Sequence, residues 1–352
     1  MAAKRAARCS SSPSHCSAPV PRALVTGGTG QVGSYLIERL AADGWHVRAL
    51  VRDARSAAWL EPLGAELRSG DVLDSNGFRR AAAGCDAIFH AAALVTARGG
   101  WEQYRASNVD GTRNAISAAE SSGARLLQVS SVAVYGSAAR YRSLPTDEET
   151  PLPPLPESAH YARSKRESEQ LVLQAHAEGR IWGCAVRPDV IYGRRDRQFI
   201  PRVGRIVTLG VFPLVGGGRS TLAIVHAASV ADGAVRAVRC TEAGGRAYNL
   251  ANDFDVTVAN FARLAGVGLG RRVTFIPIPI AVARAGFRVL SAGMRLAGHA
   301  AMAAHARSSL DFLTRNNPFS SERARRELGW SPPVPPDVGI PEAFQWWKEH
   351  RR

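Results

Sequence analysis

The sequence predicts an α/β protein: a doubly wound parallel sheet followed by a smaller, mostly helical C-terminal part. Three observations predict it. Short apolar runs alternate with segments of helical period through the first half of the chain. The first of these runs, ALVT, enters a glycine turn and then a helix rather than a hairpin. The chain has 352 residues, 45% of them apolar, which suffices for one large domain or two unequal ones.

The elements follow in order. After ALVT and the glycine turn, Val32, Leu36, Ile37 and Leu40 recur at the 3.6-residue spacing of a helix, which Gly44 ends. WHVRALV is the second strand, completing a βαβ unit, so its strands are parallel. AELRSGD holds a strand, NGFRRAAAG a helix, and CDAIFHAAA a buried strand entering a turn of small residues. WEQYRASNVDGTRNAISAAESSG reads as one long helix and ARLLQVSSVAVYG as a strand. A proline-rich loop over 141–157 precedes a helix that starts at HYARSK, and GCAVRPDVIYG is the next strand. Beyond about residue 195 the rhythm becomes irregular. A helix over 228–239, strands in RAYNLAND and RRVTFIPIP, an apolar helical region over 280–307 and a basic helix in FSSERARRELGW are readable there. The expected organisation is a disordered tail over 1–20 and a dinucleotide-binding domain over 21–195, to which 228–252 returns. Residues 196–227 and 253–352 form the substrate-binding part.

Charge and cysteines bound the function. The net charge of +15 fits either a phosphorylated or lipid partner or an arginine-rich, solvated surface. The arginines are scattered, with no basic block beside stacking aromatics, so nucleic acid is not expected as a partner. Cys9, Cys16, Cys85, Cys184 and Cys240 form no CxxC pair, which argues against zinc and for a reducing, cytoplasmic setting. No stretch reaches the roughly 20 apolar residues of a membrane span. Residues 1–20 lack the apolar core of a secretory signal.

TGGTGQVG places Gly27, Gly30 and Gly33 between a strand and a helix. Glycine permits the tight turn and lets backbone N–H groups, with those of Gln31 and Val32, approach a pyrophosphate at the positive end of the helix. This context makes the domain a Rossmann-type nucleotide binder. The second strand ends Val51-Arg52-Asp53. Arg52, placed before the first acid, can pair with the 2′-phosphate of NADP, while Asp53 keeps NAD open through the ribose hydroxyls.

Tyr161 and Lys165 lie four apart and share a helix face. An ammonium beside a phenol lowers its pKa from about 10, which suits proton exchange with an alcohol or carbonyl. Ser130 and Ser131 stand where a strand ends, at the edge where open α/β sheets bind ligands.

TGGTGQVG, SGDVLD, FHAAA, NVDGTRN, VSSVAVYG, YARSKRESE and RPDVIYG occur in that order over 22 to about 195. With them the sequence resembles the extended short-chain dehydrogenase/reductases, the NAD(P)-dependent epimerase/dehydratase superfamily. The resemblance implies Tyr161 as general acid/base, Ser131 orienting the reacting oxygen, and Lys165 tuning the phenol and holding the nicotinamide ribose. It places Asp71 and Val72 beside the adenine, Ala91 and Ala92 over the pyrophosphate and ribose, and Pro188 and Ile191 against the nicotinamide. Asn108 matches a helix asparagine that either binds or braces. A homodimer is common in such a family.

Within the resemblance, VRALVRD and RPDVIYG look like the dihydroflavonol-reductase and 3β-hydroxysteroid-dehydrogenase branches. Hydride transfer to a secondary alcohol or ketone of a small hydrophobic or sterol-like substrate is the expected reaction, with NADP, or NAD, as cofactor. A nucleotide-sugar epimerase that retains NAD is the alternative. Arg197, Arg202, Arg219 and His226 are then candidates for a diphosphate, with Tyr135 as a further substrate residue. Val132 and Ala133 after Ser131 disfavour dehydration, which wants an acid–base pair there. A non-catalytic NADP-binding redox sensor is an alternative of another class, and the Ser131–Tyr161–Lys165 set argues against it. Finally, Arg284, Arg288, Arg295 and His299 recur on one side of 280–307, and Phe287, Leu290, Met294 and Ala297 on another. That pattern fits either peripheral contact with an anionic membrane or a helix that covers the substrate cleft.

Overall fold

Apolar runs without polar alternation become strands of a parallel sheet, because helices cover both of its faces. The computed structural model describes residues 20–96, 100–136, 145–251, 254–296 and 310–351. Apart from Val20, the tail expected over 1–20 lies outside these residues. Seven parallel strands form the main sheet: β1 (Arg22–Thr26), β2 (His46–Val51), β3 (Ala65–Ser69), β4 (Ala87–His90), β5 (Arg125–Val129), β6 (Gly183–Pro188) and, from later in the chain, β10 (Ala247–Leu250). Their order is β10-β6-β5-β4-β1-β2-β3. The order reverses between β1 and β4, and there the loops after the two strands diverge and leave a crevice.

The helices Gln31–Ala42 and Ala227–Arg239 cover one face, burying Leu36, Ile37, Leu40, Val230 and Val235 against Val25, Phe89 and Val186. The helices Ser75–Ala82, Gly111–Ser122 and His160–Ala177 cover the other, where Phe78, Ile116 and Val172 meet Leu24, Ile88 and Leu126. Two-stranded pairs complete the architecture: β7 (Val190–Tyr192) with β9 (Ile224–His226), and β8 (Val211–Val215) with β11 (Thr274–Ile278). A third apolar cluster joins helices Phe199–Thr208, Val258–Leu269 and Pro336–His350, with Phe261, Phe344 and Trp347 at its centre. The sequence reading had assigned no element to the last two.

Three differences from the sequence reading shape the site. The strand expected through VSSVAVYG stops at Val129, and Val132–Tyr135 forms a tight 3-10 turn capped by Ser131. The strand expected through RPDVIYG breaks at Asp189 and sends β7 away from the main sheet to pair with β9. The long helix expected from Trp101 widens into a π-helical turn over Arg105–Asp110, which carries Asn108.

Candidate active site

Gly27 leaves β1 with φ 68°, and a Cβ there would stand 2.7 Å from Ala92 N in the loop after β4. A Cβ on Gly33 would stand 2.2 Å from Gly27 O. Only glycine fits either approach. Gly30 N donates to Gly27 O at 2.9 Å, and no side chain caps the helix that starts at Gln31. Its first N–H groups and the positive end of its dipole therefore face the crevice, which fits a dinucleotide pyrophosphate.

That crevice is a cleft of about 830 Å³. Gly27, Gly30, Gln31, Val32, Gly33 and Ala91 line one end. Ser131, Tyr161 and Lys165 line the middle, beside Pro188 and Ile191. Leu94, Val95, Phe199, Phe312, Pro318 and Phe319 add apolar surface to the lining, interleaved with Gln198, Asp311, Arg315 and Asn316. Sequence reasoning missed these last residues. FSSERARRELGW begins at Phe319, but nothing in its wording says that this residue and the stretch before it return to the cleft.

Ser131, two residues past the end of β5, directs its hydroxyl at two groups. Ala133 N donates to Ser131 Oγ at 3.2 Å, and the Ser131 hydroxyl bonds the Tyr161 phenol. The neighbouring Ser130 hydroxyl is buried and has no hydrogen-bond partner among the described residues. Lys165 is 2% exposed and donates to the carbonyl of Val129. Burial lowers its pKa to about 8, opposed by Glu169. Helical spacing alone predicts that the lysine lowers the phenol pKa. In the structure burial raises the Tyr161 pKa, opposed by the Ser131 bond, because the ammonium is directed at a backbone carbonyl rather than at the phenol.

Behind the lysine runs a buried polar row. Thr26 Oγ1 and His90 Nδ1 lie 2.8 Å apart on neighbouring strands. Burial, with the charge of Lys165 in second place, lowers the His90 pKa to about 3. Arg187 and Glu169, with side chains 6% and 2% exposed, form a multiply bonded ion pair. Arg187 Nη1 also donates to Tyr135 Oη at 2.6 Å.

The remaining expectations divide. Tyr135 is fully buried: its one hydroxyl proton is shared between Asn249 Oδ1 and Asp147 O, each 2.9 Å away, its ring stacks on Phe319, and burial pushes its pKa up to about 12. Buried in this way, it lies outside the cleft lining. His226 is also buried. Its Nδ1 accepts from Ala228 N, its ring sits edge-on between Tyr35 and Tyr192, and burial, then Arg194, lowers its pKa to about 4. Of the cations proposed for a diphosphate, Arg197 lines the cleft, with Nη2 3.5 Å from Thr29 O, while Arg202 and Arg219 do not line it. Asn108 exchanges hydrogen bonds with the backbone of Leu94 and donates to Ser164 Oγ, and it does not line the cleft. Asp71 accepts from Leu73 N, and Val72 takes a bond from Asn114 on its carbonyl. Arg52 is exposed at the end of β2, and Asp53 accepts from Arg55 N at 3.0 Å as a helix cap. Arg52, Asp71, Val72 and Ala92 lie outside the cleft lining.

The model of the NAD dependent epimerase/dehydratase family matches residues 23–251. The chain belongs to this family. A 4-hydroxy-2-methyl-3-oxo-4-farnesyl-3,4-dihydroquinoline-1-oxide ketoreductase of Stigmatella aurantiaca is 34% identical over 91% of this chain and 94% of its own. A 3-beta-hydroxysteroid dehydrogenase of Mycolicibacterium neoaurum is 28% identical over 93% and 92%. A dTDP-glucose 4,6-dehydratase from Streptomyces venezuelae, solved with NAD bound, has the same fold, with a TM-score of 0.70 at 23% identity over 94% of this chain and 98% of that one. The family member described here is an NAD(P)-dependent oxidoreductase of the extended short-chain dehydrogenase/reductase type.

Proposed function

We propose that the protein reduces a ketone, or oxidises the matching secondary alcohol, on a hydrophobic, sterol-like or prenylated substrate. The observation that carries this reading is the composition of the cleft. Leu94, Val95, Phe199, Phe312, Pro318 and Phe319 give its lining a large apolar share beside Asp311, Arg315 and Asn316. Of its cations, Arg315 is paired with Asp311 at 2.9 Å and Arg195 with Glu38, His226 is buried elsewhere, and Arg197 is the one lining arginine without an ion pair among the described residues. The ketoreductase and hydroxysteroid dehydrogenase relatives support the same substrate class.

In this reading the glycine loop, Gln31 and Val32 hold the pyrophosphate, and Pro188 and Ile191 pack on the nicotinamide. A nicotinamide bound there supplies or accepts the hydride. Tyr161 donates its proton to the carbonyl oxygen on reduction and takes it back on oxidation, while Ser131 holds that oxygen by a hydrogen bond. The raised pKa keeps the free enzyme's phenol protonated, ready for the reductive direction. Lys165, in the same lining, would hold the nicotinamide ribose. Asp53 spends its carboxylate on a helix cap while Arg52 is exposed, which favours NADP over NAD. The cofactor unit comprises 21–195 with 228–252, and the remainder from 196 on forms the substrate part.

The test is NADPH oxidation with a panel of hydrophobic ketones. Tyr161→Phe should lose turnover by about 10²- to 10⁴-fold while retaining NADPH binding, and Arg52→Ala should weaken NADPH but not NADH. Turnover of nucleotide sugars alone, with non-exchanging NAD, would overturn the reading.

A further inference from the structure

The helix Ile280–Leu296 is placed unlike the others. Ala283 and Ser291 are its buried positions, and Phe287 and Met294 are half-buried beside them. The apolar face expected from the sequence is thus partly turned toward the protein; Ala297 and His299, and the rest of the run to 307, lie outside the described residues. A second apolar stripe points outward. Val282, Ala285, Val289 and Leu296 are spaced to share a helix face. Val282 is 60% exposed, Val289 75% and Leu296 90%. Arg284 and Arg288, both exposed, lie along one side of the stripe. None of the residues 280–296 lines the cleft, so the helix does not cover it.

We propose that Ile280–Leu296 seats the protein on an anionic bilayer surface, with the Val282–Val289–Leu296 stripe in the acyl boundary and Arg284 and Arg288 at the headgroups. Charge decides the occupant. No aspartate or glutamate occurs between Asp255 and Asp311. Two copies packed through this stripe would set arginine near arginine with no acid to pair, whereas anionic headgroups complement them. No helix among the described residues is long and apolar enough to cross a hydrocarbon core of about 30 Å. An in-plane seat is what such a helix can take. The chain that follows supplies Asp311, Phe312, Arg315 and Asn316 to the cleft. Resting on the reading above, the seat brings a lipid-like substrate out of the membrane beside that wall.

The experiment is cosedimentation of the full chain with vesicles of phosphatidylcholine alone or mixed with phosphatidylglycerol. The wild type should pellet with the anionic vesicles and be released by salt. The double substitution Val282→Asp/Val289→Asp should abolish pelleting, and Arg284→Gln/Arg288→Gln should weaken it about 30-fold. Both variants should turn over a water-soluble ketone, without vesicles, at the wild-type rate. That soluble assay fails if the proposed reaction is wrong and stands if only the membrane seat is wrong. A wild type that stays in the supernatant, or aspartates that leave pelleting unchanged, overturns the proposal. Light scattering showing a dimer that the aspartates dissociate, without vesicle binding, would overturn it in favour of a second copy.

Discussion

The rim of the main sheet and the helix Ile280–Leu296 treat the same residue types in opposite ways. At the rim, Arg187 is buried against Glu169, Arg194 and Arg195 reach back to Glu38 on the first helix, and apolar side chains fill the layers behind them. On the outer helix, arginines and valines alike face solvent. The difference teaches where charge serves construction and where it serves contact. A buried guanidinium must be paired, because an isolated one is too costly to desolvate. An exposed one adds little to stability and is free to meet a partner.

Substitutions can break or sharpen that contrast. The largest effect is expected at Glu169→Gln, which leaves Arg187 buried without its counter-charge. Denaturant unfolding should show a loss of about 3–5 kcal/mol, whereas the conservative Glu169→Asp should lose less. A loss below about 1 kcal/mol would mean that water reaches the pair.

Acid should find the interior next. His90 and His226 stay neutral in the fold, with pKa values of about 3 and about 4, while in the unfolded chain they titrate near 6.5. Between those values the unfolded state binds more protons, so stability falls as pH drops below about 6.5. The expected loss by pH 5 is about 2 kcal/mol for each histidine. Urea midpoints measured at pH 7, 6 and 5 check this, and a flat profile would place both rings in contact with water.

Within the cofactor loop, Gly33→Ala forces its methyl into Gly27 O. NADPH affinity should fall by tenfold or more, at a stability cost of about 1–3 kcal/mol. The smallest effect belongs to the outer helix: Val289→Asp should change unfolding free energy by no more than about 0.5 kcal/mol. A substantially larger loss would show that the stripe is covered within the chain's own assembly.

The sequence by itself determined the sheet, the glycine loop and the Ser131–Tyr161–Lys165 set. Gly27, Gly30 and Gly33 are legible because only glycine fits where two backbone loops touch, and Tyr161 and Lys165 because four residues bring a helix back to the same face. Tertiary structure decided what depends on partners far apart in the chain. It turned Lys165 onto the Val129 carbonyl and buried Tyr135 between Arg187 and Asn249. It withdrew His226 from the cleft and brought Phe312 and Phe319 into it. It also set which stripe of the helix Ile280–Leu296 faces solvent. Local spacing fixes which residues share a face, but burial, and with it every pKa and every exposed patch, is fixed by what the rest of the chain lays over that face.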